Sequence, residues 1–146
     1  MDVSYNIYQF NSFEDLLKYV EAQIASIQDT LQQLEQRYEV VRVRAERMKA
    51  LERVLEDLLG EKLSSLNEID YMGLKVVVNA RAVDELNVLE ETIESQRESL
   101  EALARIREVL HKLGSSLSSG EELAGISILV QTLNGIPVRI LLKETE

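Results

Sequence analysis

Apolar and polar positions recur with two different periods along this chain, and the switches between them mark its elements. Residues 3 to 9 set Val3, Tyr5 and Ile7 against Ser4, Asn6 and Tyr8, the period of two expected of a half-buried strand. Ser12, followed three residues on by Asp15, forms a capping pair, and a helix is predicted over 12–59. Within it the apolar positions advance by alternating steps of three and four, through Leu17, Val20, Ile24, Ile27, Leu31, Leu34, Tyr38, Val41, Ala45 and Met48. That spacing is a heptad seam, the signature of a coiled coil. The steps to Leu51, Leu55 and Leu58 insert one extra three-residue step, which should perturb the supercoil before Gly60 ends the helix.

A second helix is predicted over 81–113, capped by Asn79, with Leu86, Leu89, Ile93, Leu100, Leu103 and Leu110 along its apolar stripe. Gly114 and the serine-rich residues after it are read as its end and a loop. Between the helices, 63–79 is a strand or a hairpin: Leu74 to Val78 is β-branched and follows Gly73, whereas Leu63 to Ile69 fits either a partner strand or a continuation of the helix. The segment 126–142 is a β hairpin, because Asn134-Gly135 between apolar runs supplies the two positive φ angles of a two-residue turn. Regular pairing across that turn sets Leu133 opposite Ile136, Gln131 opposite Val138 and Leu129 opposite Ile140 on a mostly apolar face, with Thr132, Pro137, Arg139 and Lys143 on the other.

Charge suggests how the helices meet. The first is basic in its C-terminal half (Arg37, Arg42, Arg44, Arg47) and the second acidic in its first half (Asp84, Glu85, Glu90, Glu91). An antiparallel fold-back around residue 71 lays residues 42–53 opposite about 90–101 and brings basic against acidic. Such exposed pairs are worth about 0–1 kcal/mol each, so they select register while the leucine-rich seam supplies stability. In that arrangement Leu16 to Ile27 have no helical partner, and the C-terminal hairpin returns to cover them. The expected fold is α+β, mostly α: one elongated domain over 1–146, a long antiparallel coiled-coil helical hairpin with small β strands and hairpins at its ends.

Composition narrows the chemistry. At 146 residues, 45% apolar and 29% charged, the chain fits one domain and is not a disordered sequence. It has no cysteine, so disulfides, thiolate catalysis and cysteine zinc sites are excluded. Residues 1–5 show no leader pattern and no eighteen-residue apolar run occurs, which points to a cytoplasmic protein that does not engage membranes. A net charge of −10 repels phosphate backbones, and the basic stretch is interleaved with Glu35, Glu39, Glu46 and Glu52, so no nucleic-acid partner is expected. His111, the single histidine, lies near the end of the second helix, where imidazoles commonly meet the last carbonyls. No phosphate-loop, dinucleotide, metalloprotease or calcium-loop motif occurs. No catalytic residue, metal ligand or cofactor is therefore assigned, and a carboxylate-based metal enzyme is a remote alternative.

The order of long helix, short β segment and returning helix resembles prefoldin. The likeness is closest at Tyr71-Met72-Gly73-Leu74-Lys75-Val76-Val77-Val78 leading into Ala82-Val83-Asp84-Glu85-Leu86, which is similar to the glycine, strand and helix entry of the beta-type subunit. The resemblance spans about residues 12–113 and implies an ATP-independent holdase whose coiled-coil subunits assemble through β hairpins. The chain departs from it by adding a β ribbon after the second helix, where prefoldin subunits end in an exposed coil tip. The residues themselves lead to an assembly or scaffold protein, a homo-oligomer or the subunit of a larger complex. Its seam contacts would be Ile24, Ile27, Leu31, Leu34, Tyr38, Val41 and Met48 with Leu86, Leu89, Ile93, Leu100, Leu103 and Leu110. Its β assembly contacts would be Val76, Val78, Leu129, Ile136, Val138 and Ile140.

Overall fold

The computed structural model describes residues 4–60, 67–78, 81–117 and 125–144. In chain order these form β1 (Tyr5–Phe10), α1 (Phe13–Leu59), β2 (Asn67–Tyr71), β3 (Leu74–Val78), α2 (Ala82–Leu117), β4 (Ile126–Leu133) and β5 (Ile136–Glu144). The protein is α+β and mostly helical, with one antiparallel three-stranded sheet, order β1-β4-β5, and one two-stranded sheet, β2-β3. The chain packs as two compact units, Met1–Thr30 with Gln96–Glu146 and Leu31–Ser95, and both helices contribute to both.

In the first unit Ser12 caps α1: its Oγ accepts the Asp15 amide at 3.1 Å, as an N-cap hydroxyl does for the third helical residue. The core cluster joins Leu16, Val20 and Ile24 of α1, Leu103 and Leu110 of α2, and Ile128 and Val130 of β4. Two expectations are corrected here. The start of α1 does have a helical partner, since Leu103 and Leu110 lie in the same cluster as Leu16 and Val20. Gly114 does not stop α2; it is not among the residues with positive φ, and the helix continues to Leu117. A glycine marks a helix end only when it takes the left-handed conformation.

The hairpin turn lies at Asn134-Gly135, with φ of 51° and 84°. The expected pairing of its arms is corrected. Leu133 opposes Ile136 and Thr132 opposes Pro137, but Gln131 opposes Arg139, so Val138 is the extra residue of a β-bulge. Beyond it Val130 pairs with Ile140 and Ile128 with Leu142. The buried positions of β4 are Ser127 near its start and then Ile128, Val130 and Thr132, with Leu129, Gln131 and Leu133 less covered. That inverts the face anticipated from strict alternation. β4 carries apolar residues at both parities, so alternation alone does not decide which set turns inward.

Strand β1 inverts likewise. Its Tyr8 and Phe10 rings meet the Tyr19 ring of α1 at centroid distances of 5.5 and 5.6 Å, with Tyr8 still 39% exposed, while Tyr5 and Ile7 are more exposed, at 58% and 74%. Val3 lies outside the described residues.

In the second unit Leu31, Val41 and Ala45 of α1 and Leu89 and Ile93 of α2 are buried. Helix α2 is capped at Arg81, whose amide donates to the Asp84 carboxylate at 2.8 Å. The expected cap, Asn79, lies outside the described residues. The Arg81 guanidinium also reaches Glu52 of α1 at 2.9 Å, and Arg37 of α1 reaches Glu85 at 2.8 Å. Moving up α1 from Arg37 to Glu52, the partner moves down α2 from Glu85 to Arg81. This register differs from the expected one, in which residues 42–53 face about 90–101. Arg42 is instead engaged on its own helix by Glu39 and Glu46, the i,i+3 and i,i+4 neighbours that are always within reach. The middle segment is a hairpin from Asn67 to Val78, turning at Met72-Gly73 with φ of 52° and 88°; residues 61–66 lie outside the described residues.

Two substitutions test this core. Gly114→Ala should raise stability by about 0.5–1 kcal/mol, because helical glycine is entropically costly and an added Cβ meets only Phe13 Cβ at an ordinary 3.7 Å. Leu103→Ala should lower it by about 2–5 kcal/mol through the cavity it leaves. Urea unfolding, compared at unchanged slope, reads both.

Candidate interaction surfaces

The residues expected to form a seam divide by position. Ile24, Leu31, Val41, Leu89, Ile93, Leu103 and Leu110 are buried, and Ile27, Leu34, Tyr38, Leu86 and Leu100 are half-buried. Met48 is exposed. Tyr38 donates its hydroxyl to the Glu90 carboxylate at 3.0 Å, a bond that favours the neutral phenol and raises its pKa above the ordinary range.

Among the described side chains of α1 none after Ala45 is buried, Glu52 and Glu56 being half-buried. Leu51, Val54, Leu55 and Leu58 are all exposed, Leu58 at 77%, and at this spacing they fall on one side of the helix. This stripe lies within the second unit, where Val76 and Val78 of β3 oppose Ile69 and Asn67 of β2.

The second apolar surface is the outer face of the three-stranded sheet. Tyr5 and Ile7 of β1 are 58% and 74% exposed, and Leu141 and the bulge residue Val138 of β5 are exposed beside them. Tyr5 pairs in register with Leu133, and Leu129 with Leu141, so these side chains share one face across all three strands. Of the expected β contacts, Ile136 and Ile140 pack against the core cluster instead, and Leu129 is half-buried. Alternation at Tyr5 and Ile7 was the available signal for this face, but alternation does not say which parity turns inward.

A pocket of about 490 Å³ in the first unit is lined by Phe13, Leu17, Leu110, Ile126 and Leu142, with Asn11, Ser12, Glu14, His111 and Ser115 as its polar members. Among the described residues no group of three or more histidine, aspartate or glutamate side chains is placed to hold a metal ion, and no helix is long and apolar enough to cross a membrane.

Tyr19 links the sheet to α1. Its hydroxyl donates to the Gly135 carbonyl at 3.3 Å, and its pKa is raised, first by burial and then by the neighbouring Tyr8. A phenol whose folded pKa is raised adds stability that is fully present below the unfolded value of about 10 and is lost as pH rises through the folded value. Thermal midpoints should therefore fall above about pH 10. Tyr19→Phe should flatten that fall while lowering the neutral-pH stability by about 1 kcal/mol through the lost hydrogen bond. A pH series of thermal melts on both proteins checks it.

Comparison of the chain with protein-family models, with curated proteins and with solved structures returns no match.

Proposed function

We propose that this protein is a non-enzymatic assembly or scaffold protein, working through coiled-coil and β-strand contacts in a homo-oligomer or larger complex. The observation that carries this reading is the outer face of the β1-β4-β5 sheet, where Tyr5, Ile7, Val138 and Leu141 are left to solvent. Large apolar side chains gathered on one exposed sheet face are costly to leave in water and mark protein contacts. The helices act as an antiparallel coiled-coil hairpin in this reading, supported by the buried heptad positions and by the Arg37–Glu85 and Glu52–Arg81 pairs. A net charge of −10 favours protein partners over nucleic acid, and the cytoplasm is the proposed compartment.

The exposed stripe Leu51, Val54, Leu55 and Leu58 favours a second reading, a prefoldin-like holdase that binds unfolded chains without ATP. Light scattering should give a mass above that of one chain at tens of micromolar, or affinity capture should return a stoichiometric partner; a strict monomer without partner overturns the assembly reading. Suppression of client aggregation that is lost in Leu55→Glu would establish the holdase reading, and no suppression by the parent protein would remove it.

A further inference from the structure

The three-stranded sheet has two edges, and the chain treats them differently. Along β5 the edge is guarded by Pro137, by the bulge at Val138, and by the charges of Arg139, Lys143 and Glu144. These are the devices that keep an open edge from pairing with another strand. Along β1 none of them occurs. No charged side chain lies between Asp2 and Glu14, the strand has no proline or glycine, and its ladder with β4 runs from Tyr5↔Leu133 to Phe10↔Ile128 without a shift. Among the described residues no strand covers its other side.

The direction of its free main-chain groups follows from the ladder. The Ser4 carbonyl accepts the Asn134 amide at 2.8 Å, and the Ser4 amide donates to the Asn134 side chain at 3.1 Å, so Ser4 faces β4. Main-chain groups alternate in direction along an antiparallel strand. Asn6, Tyr8 and Phe10 therefore also bond towards β4, and the N–H and C=O groups of Tyr5, Ile7 and Gln9 point out of the sheet.

We propose that β1 is the edge through which two copies of this chain pair, antiparallel about a two-fold axis at Ile7. This rests on the assembly reading and names its partner. Centring on Ile7 pairs Ile7 with Ile7 and Tyr5 with Gln9 of the other copy, which satisfies all the outward groups at once; centring on Tyr8 leaves Tyr5 without its match. The axis then stands perpendicular to the sheet, giving the strand order β5-β4-β1-β1-β4-β5 and joining the two apolar outer faces into one. Charge permits a second copy as the occupant. Two chains of −10 repel wherever both bring carboxylates, and β1 lets them meet with no charge from either side, whereas β5 brings Arg139, Lys143 and Glu144 and β3 brings Lys75 into any self-pairing.

The test is sedimentation of the full chain with three variants. Ile7→Lys places two like charges on the axis, and Ile7→Pro removes an outward N–H while keeping every bond to β4. Leu141→Lys puts a charge on the outer face away from the β1 edge. The parent protein should be a concentration-dependent dimer, and both Ile7 variants should raise its dissociation constant about tenfold or more with unchanged circular dichroism. Leu141→Lys should stay within about threefold, which is less than 1 kcal/mol. Ile7 variants that dimerise like the parent overturn the β1 edge and leave the assembly reading standing. Loss of the dimer in Leu141→Lys alone assigns it to stacked sheet faces and likewise overturns the edge. A monomeric parent overturns the pairing, with co-purification of a different partner then deciding the assembly reading by itself.

Discussion

The arrangement of the first unit depends on one constraint, the interior position of β4. This strand bonds to β1 on one side and β5 on the other, while Ile128 and Val130 are buried in the cluster that holds Leu16, Val20, Leu103 and Leu110. A strand held on both edges and one face has no freedom to slip, because a shift of one residue would turn that apolar set to water. Its neighbours must conform. The bulge at Val138 is how β5 does so: one surplus residue lets Pro137 lie opposite Thr132 and Ile140 opposite Val130, and both sit on the inward side.

In the second unit the comparable fixed point is the start of α2. Asp84 accepts the Arg81 amide, and the Arg81 guanidinium reaches Glu52. Partly buried groups hydrogen-bonded in this way set the register of two helices with more selectivity than the exposed Arg42 contacts, which stay within α1.

Local chemistry was legible wherever a residue acts on its immediate neighbours. Ser12 and Asp15 identify the start of α1, and Asn134-Gly135 identifies the turn between β4 and β5, because each supplies a hydrogen bond or a φ angle that few residues provide. The turn at Met72-Gly73 was less legible because methionine is not a residue that favours positive φ, and Met72 adopts 52° all the same. Long-range choices were illegible for a different reason. The inward parity of β4 is not decided by its own pattern, which is apolar at both parities, and the register of α1 against α2 follows from Arg81, an arginine that reads in the sequence like any other. The outer face of the sheet is therefore the side that strict alternation would turn inward.

Asymmetry between the two sheet edges has a consequence for the size of any assembly built from them. A growing β stack needs two joinable edges on every subunit, one to be received and one to receive. If the three-stranded sheet pairs as proposed, β5, with its proline, bulge and cations, offers none, and β1 offers one. A building block with a single usable edge terminates after one addition. In that pairing, growth into fibres through this sheet is foreclosed by Pro137, Val138, Arg139 and Lys143, at the far side of the sheet from β1.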